Sequence, residues 1–465
     1  MFLRLRTVLA CSLVNSPARP QSSSTMDSNT DTILRPFSRM DALMSNHTIF
    51  LLYMFPPAYA PYNLEKLHSS LRALVEHDYP ILMGELYVDP NTGITNVKQS
   101  KAQQELGGAQ HIRFETNPSN AMTTEEAMQK RSRELMPTPR SKTEVICFKG
   151  TLLADGGLVI GINTSHAVFD GEAIFTFMSV WGQHYSGVKK EDRVVVNHDR
   201  HLLRGEGVPP KLVHPEYQIA HIETPTDVSF LPRTTDHFFH FTRAMMKKIK
   251  DTATGDSMNG GRKPSYVSTV DSMTALFTVL ISLARGHGQD VRISTAVNGR
   301  QRLDPQLPAH YVGNVVFNTM STFSPSDLYD DSDKAVPVSV STIGKLARSV
   351  RASILKFDDP SYLRDALNFL DEQSNMSDVQ FGCNFFHGPD LAFTSWRHLG
   401  MYNASFDGTH PCYACIPIIP YSDGVVIITE APQPADGMDV CVLLECSAMD
   451  RLKELFSQVS SYLFE

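Results

Sequence analysis

Apolar and polar positions along this chain switch between two periods, and the switches outline its elements. Ile49 to Phe55 is a continuous apolar run of strand length, stopped by Pro56-Pro57. Pro61 to His77 sets Leu64, Leu67, Leu71 and Leu74 at helical spacing with charges between them, which predicts an amphipathic helix. Ile81 to Val88 returns to strand character before the turn signal Asn91-Thr92-Gly93. Thr123 to Leu135 reads as a charged helix ended by Pro137. Val145 to Phe148 and Gly157 to Asn163 read as two strands joined across Ala154-Asp155-Gly156. The second runs into Thr164-Ser165-His166. A helix opens after Asp170-Gly171 and carries Ile174, Phe175, Phe177, Met178 and Trp181 toward a core.

Residues 186–233 are rich in proline, histidine and charge and lack periodicity, so they read as a linker. A second mixed pattern follows. Phe238 to Thr242 is a strand, Ala244 to Thr252 a helix, Gly260-Gly261 a break and Ser268 to Arg285 a long apolar helix. Strands are expected at Val291 to Val297, Leu391 to Ser395, Cys412 to Ile419, Gly424 to Thr429 and Met438 to Leu444. Ala448 to Leu463 is the closing helix. Strands and helices mix in both halves, which predicts an α/β or α+β class with two lobes. The expected division is a first lobe at 27–185, a crossover at 186–233 and a second lobe at 234–465. A stretch near 375–398 is expected to pair with the first lobe.

Composition narrows the function. The 465 residues exceed one ordinary core, and 42% apolar with 20% charged residues is an ordinary globular balance. A formal charge of −8 counts against a nucleic-acid partner. No apolar run reaches the ~18 residues of a membrane span. Residues 1–26 hold Arg4, Arg6 and Arg19, many serines and no acid, which reads as a disordered tail or a targeting segment. The expected location is cytoplasmic, or mitochondrial or secretory if that segment is a leader. The seven cysteines have no regular spacing, so no disulfide framework is expected. Cys412-x-x-Cys415 lacks a partner pair, and a zinc site needs about four ligands, so no metal is expected.

The sharpest chemical feature is His166-Ala-Val-Phe-Asp170-Gly171. A histidine where a strand ends and a helix begins faces a cleft, and its imidazole exchanges protons near neutral pH. By itself, His-x-x-x-Asp in a chain with 17 histidines and 50 acids is weak.

Several further segments, in order, resemble the BAHD acyl-CoA-dependent acyltransferases, of the chloramphenicol acetyltransferase-like superfamily. Leu64-Glu-Lys-Leu67 through Asp78-Tyr79-Pro80-Ile-Leu-Met-Gly84 is similar to that family's helix followed by FYPLAGR. HAVFDG fits HxxxDG, and His198-Asp199-Arg200 resembles the linker's aspartate–arginine pair. Val267 to Ala275 resembles the STxDALTA helix start. Ala296-Val-Asn-Gly-Arg300 through Tyr311-Val-Gly-Asn314 resembles VDGRxRLxPPLPxxYxGN, and Thr394-Ser395-Trp396 resembles TSW. One departure stands out. Where the family carries DFGWGKP, this chain has Ser405-Phe-Asp-Gly-Thr-His-Pro411, keeping only the Phe and the Pro. That marks a divergent, non-plant-type member.

The resemblance implies two similar lobes with a channel between them, and transfer of an acyl group from acyl-CoA to a hydroxyl or amine of a small molecule. It implies His166 as general base, Thr394 and Trp396 as donors to the oxyanion, and Asp170, Gly171 and Arg300 as structural support. Ser268 and Thr269 are expected to bind coenzyme A at a helix start, although plain N-capping explains them equally well. Ser38 and the stretch Phe385 to Asp390 are expected to line the acceptor pocket. Acyl-CoA is a co-substrate, no permanent cofactor is implied, and a monomer is expected. A carrier-dependent condensation domain shares this fold, but Ser165 stands where those domains usually carry a second histidine. A non-catalytic binding protein of the same fold is the other alternative.

Overall fold

The strand Thr48–Phe55 is an unbroken apolar run because both of its faces are covered. Leu51, Tyr53 and Phe55 pack with Leu67, Leu71, Phe175 and Trp181 from the helices Leu64–His77 and Gly171–Tyr185. Leu52 and Met54 point the other way, onto Ala127 of the short helix Thr124–Lys130 and onto Leu135. This strand is the second in a five-stranded sheet ordered Tyr413–Cys415, Thr48–Phe55, Leu158–Ser165, Ile146–Leu152, Arg113–Asn117. The computed structural model describes residues 32–100, 111–220, 231–255, 266–329, 338–419 and 422–464. The N-terminal stretch 1–26 and the glycine pair 260–261 lie outside them.

A six-stranded mixed sheet organises the rest, in the order Val316–Phe323, Val291–Asn298, Leu391–Ser395, Val425–Glu430, Met438–Glu445, Thr234–Phe241. Leu391–Ser395 runs parallel to both neighbours, and the other pairs are antiparallel. The helices Thr269–Arg285, Val340–Leu355 and Cys446–Leu463 share its core. Ser268 starts the first of these as its N-cap, and Gly286 ends it in the left-handed region at φ 67°. Two smaller sheets complete the topology: Thr32–Pro36, Thr95–Ser100 and Glu85–Val88, and the pair Val379–Phe381 with Tyr217–Ile219. Among the described residues no helix is long and apolar enough to cross a membrane.

The mixed α/β class read from the sequence is the observed one, with several local differences. Pro80–Leu82 is a 3-10 turn, so the strand begins only at Glu85. The helix at 124 stops at Lys130, because Arg131 turns left-handed at φ 42°. Of Cys412 to Ile419 only Tyr413–Cys415 is strand, and this stretch crosses to the first sheet, pairing with Thr48–Phe55. The segment near 375–398 does not make that crossing: its strands pair with Tyr217–Ile219 and within the six-stranded sheet.

The aperiodic stretch after residue 186 is held by polar side chains as well as by Leu203 and Tyr217 in the core. The His214 ring lies between two carboxylates, with Nδ1 2.9 Å from Glu216 and Nε2 3.0 Å from Asp365 of the helix Pro360–Glu372. Burial lowers the affinity of this imidazole for a proton, but the two carboxylates outweigh it and the pKa is raised.

Candidate active site

His166 follows directly on the strand Leu158–Ser165, and Asp170 caps the next helix by accepting the Ala173 N–H at 3.0 Å. The sheet ladder, already pairing Thr48 with Ser165, extends by one bond from the His166 N–H to the His47 carbonyl at 2.9 Å. His166 is therefore anchored by its backbone while its ring leaves the sheet edge. The ring lies deep among protein atoms but is not sealed from solvent.

One neighbour sets its tautomer. Nδ1 of His166 lies 3.0 Å from Oδ1 of Asn314. The Asn314 amide nitrogen faces two acceptors, the His166 carbonyl at 2.8 Å and Oδ1 of Asp41 at 3.0 Å. Nδ2 must therefore be the donor there, and Oδ1 the acceptor toward the ring. Nδ1 then carries the proton, and Nε2 holds a lone pair for chemistry. Burial pushes the His166 pKa below the ordinary imidazole value, against the opposing pulls of Asp170, Asn314 and Asp41.

Asp41 is a hub that the sequence reading missed. It is fully buried, and Oδ1 also accepts from the Asn314 N–H at 2.8 Å and from Arg200 at 2.9 Å. Its other oxygen accepts the Ser38 N–H at 2.9 Å and the Ser38 hydroxyl at 2.7 Å. Ser38 thus caps the helix Arg39–Leu43 and has its hydroxyl engaged by Asp41. Ser38-x-x-Asp41 just before a buried turn is a capping box, the signal that could have singled out Asp41. Arg200, noted as a linker arginine, ties that linker to Asp41 and to the Val168 carbonyl, 3.0 Å away.

Asp170 and Arg300 form the expected bidentate pair, with N···O distances of 2.7 and 2.9 Å. The carboxylate also accepts the Val315 N–H at 3.0 Å, so its lone pairs are engaged without a bond to His166. Arg300 reaches the carbonyls of Tyr311 and Gly313 as well. This clamp fixes the loop that presents Asn314. Gly171 begins the helix where a Cβ would come 3.2 Å from Leu399.

Thr394, Ser268, Thr295, Asn298, Arg302 and Arg351 line a cleft of about 220 Å³ at the C-terminal ends of the parallel strands. His166, Trp396 and Thr269 are not in its wall. Ser268 is an N-cap in a capping box with Asp271, which also pairs with Arg351 at 2.6 Å. The hydroxyl of Thr295 is buried with no partner among the described residues. Such a lining suits an elongated ligand with amide and anionic groups. Trp396 packs edge-on against Phe175 of the helix that follows His166, at 5.7 Å between ring centroids. Its indole N–H has no hydrogen-bond partner among the described residues.

The stretch Phe385 to Asp390 does not share this end of the sheet. It leads into Leu391, which pairs with Ile293, whereas the cleft lies toward Asn298 and Ser395. At ~3.3 Å per strand residue, more than 10 Å separates them. Arg285 holds the Phe385, Gly388 and Asp390 carbonyls there, so the stretch is a clamped loop set apart from this cleft.

The segment Ser405 to Pro411 packs as structure. Phe406 is buried against Phe55, Trp181 and Tyr185, and Asp407 and Gly408 make a left-handed turn. Cys412 donates to the Met54 carbonyl, and Cys415 is buried in its strand; burial pushes their thiols up to about 11 and about 12. Among the described residues no group of three or more His, Cys, Asp or Glu side chains is arranged to hold a metal ion.

The family model described as Transferase family matches residues 23–459. Hydroxycinnamoyltransferase 1 of Oryza sativa subsp. japonica is 25% identical over 333 residues, covering 69% of this chain and 70% of that protein. Hydroxycinnamoyl-CoA:5-hydroxyanthranilate N-hydroxycinnamoyltransferase HHT4 of Avena sativa is 25% identical over 332 residues, 69% of each chain. Among solved structures, F. graminearum TRI101 complexed with ethyl coenzyme A superposes with a TM-score of 0.72 at 16% identity, over 92% of this chain and 99% of that one. This likeness concerns the fold. A family match spanning nearly the whole chain settles the class: the protein is an acyltransferase and belongs to the Transferase family, the BAHD enzymes.

Proposed function

We propose that the protein transfers an acyl group from acyl-CoA to a hydroxyl or amine of a small molecule, with His166 as general base acting through Nε2. The observation that carries this reading is the Asn314 amide, which assigns the ring proton to Nδ1 and leaves Nε2 bare. Nε2 takes the acceptor's proton as its oxygen or nitrogen bonds to the thioester carbon. The carbonyl electron pair moves to oxygen. Thr394 and the Trp396 indole N–H are the donors to that oxyanion. As it collapses, the C–S bond breaks with its electron pair on sulfur, and the proton on Nε2 passes to the thiolate. Both substrates are bound together, and no acyl-enzyme forms.

The cleft beside Thr394 suits the pantetheine arm. Ser268 lines it, Thr269 follows as the first residue of its helix, and Arg302 and Arg351 add guanidinium donors that are already paired with Asp358 and Asp271. Asp170, Gly171 and Arg300 support the base. We place the lobe boundary within 186–233. The relatives' names make hydroxycinnamoyl-CoA the first donor to try. The test is release of free thiol across a panel of acyl-CoAs and of hydroxyl and amine acceptors, for wild type and His166→Ala. Wild-type release that needs an acceptor, lost by ~10²–10⁴ in the variant, supports the reading. Release at the wild-type rate from His166→Ala would refute it.

A further inference from the structure

Beside His166 stands a second histidine that this chemistry does not use. His47 precedes the strand Thr48–Phe55, and its carbonyl accepts the His166 N–H at 2.9 Å. The two residues are cross-strand partners at the end of one ladder, so their side chains leave the same face. Their rings stand nearly perpendicular, with interplanar angle 80° and centroids 6.4 Å apart. On its other side His47 meets the edge of Phe381 at 5.9 Å.

Neither nitrogen of the His47 ring has a hydrogen-bond partner among the described residues, and Nδ1 is fully buried. The residue is nonetheless partly open to solvent, so Nε2 is the nitrogen that a molecule beside His166 can reach. Burial, with His166 adding, pushes the His47 pKa down to about 4, so the ring is neutral near pH 7. A neutral imidazole offers one donor and one acceptor. Buried polar groups almost always find a partner. A ligand that bridges the two rings supplies one here.

We propose that His47 is a specificity-determining residue: it hydrogen-bonds a second hydroxyl of the acceptor while the reacting hydroxyl lies on Nε2 of His166. The favoured acceptor class is therefore a molecule with two neighbouring hydroxyls. Two hydrogen bonds of about 2.8 Å to adjacent oxygens of one molecule span a pair of rings at this separation. His47 transfers no proton in this arrangement. The inference rests on His166 being the base of the proposed reaction.

The experiment compares cis-1,2-cyclohexanediol with cyclohexanol as acceptors for a hydroxycinnamoyl-CoA, in wild type, His47→Phe and His47→Gln. The expected wild-type preference for the diol is about 10- to 100-fold in kcat/KM, the scale of one buried hydrogen bond. His47→Phe keeps the ring contact with Phe381, so it should abolish the preference through a raised KM for the diol, with cyclohexanol turnover as the control for any general loss of activity. His47→Gln should restore part of it. An indifferent wild type, or a His47→Phe enzyme that keeps the preference, overturns the proposal. If neither alcohol is acylated, that result bears on the transfer reading, and His47 is judged by binding of the same two alcohols followed by NMR. Tighter diol binding that His47→Phe removes supports its role, and equal binding of both alcohols to the wild type overturns it.

Discussion

Asn314 grips His166 at both ends: its Oδ1 lies 3.0 Å from the ring Nδ1 and its Nδ2 lies 2.8 Å from the backbone carbonyl of the same residue. A single amide thus fixes ring rotation, tautomer and main-chain position together. Asp41 orients the amide in turn, and Arg200 and Ser38 hold Asp41. The order of control runs from the linker and the first helix through Asn314 to the histidine, and the Asp170–Arg300 clamp enters it by holding the loop that carries Asn314.

This order predicts the effect of Asn314→Ala. The ring loses its tautomer lock while the Asp170–Arg300 clamp stays. The kcat should fall by about 10²-fold or more, since a wrong tautomer is costly in base catalysis. Acyl-CoA binding, measured by titration, should change little. A variant with wild-type kcat would show that the amide does not set the base.

Acid should affect rate and stability in the same direction. Burial holds His166 below the ordinary imidazole pKa of ~6.5, and the working form is neutral. The rate should therefore rise with pH, with unit slope, through a midpoint below ~6.5, and then level off where chemistry is limiting. His47 and His198 are both pushed down to about 4 by burial. Between about 4 and ~6.5 the unfolded chain binds protons that the folded chain refuses, so stability is full above that window and falls as pH drops through it. Melting temperature across pH 4 to 7 checks this, and a flat profile would contradict it.

Asp170→Asn tests the clamp. The substitution leaves Arg300 buried opposite a neutral amide, at a cost of about 3–5 kcal/mol for a broken buried pair. Melting temperature and rate should fall together, because the loop from Tyr311 to Val315 that presents Asn314 hangs on the same pair. Unchanged melting and rate would remove the clamp from the account.

Much of this was legible from residue order. His166 stood out because an apolar strand and an N-capping aspartate frame it, and Arg300 because its segment resembles a known one. Asp41 and His47 escaped notice because each acts across distant sequence: Asp41 meets Asn314 from 273 positions away. The strand Thr95–Ser100 was missed because five of its six residues are polar, although it is the middle strand of its small sheet and mostly buried. The helix Val340–Leu355 does carry Ile343, Leu346, Ala347 and Val350 at helical spacing, a pattern the reading passed over. Periodicity shows which face is buried, but it does not say which element buries it.

Trp396 offers the sharpest separation of packing from chemistry. Its ring lies edge-on to Phe175, so part of its worth is structural. Its indole N–H has no hydrogen-bond partner among the described residues, which leaves it available to a developing oxyanion. Trp396→Phe keeps an aromatic ring against Phe175 and removes only the donor. If the indole donates in the transition state, kcat should fall by ~10²–10³ with the melting temperature nearly unchanged. Trp396→Leu removes both the donor and the ring contact, so it should lose the same rate and add a loss of stability. A Trp396→Phe enzyme with wild-type kcat would assign Trp396 to packing alone, and the oxyanion would then have to rest on Thr394 and backbone donors.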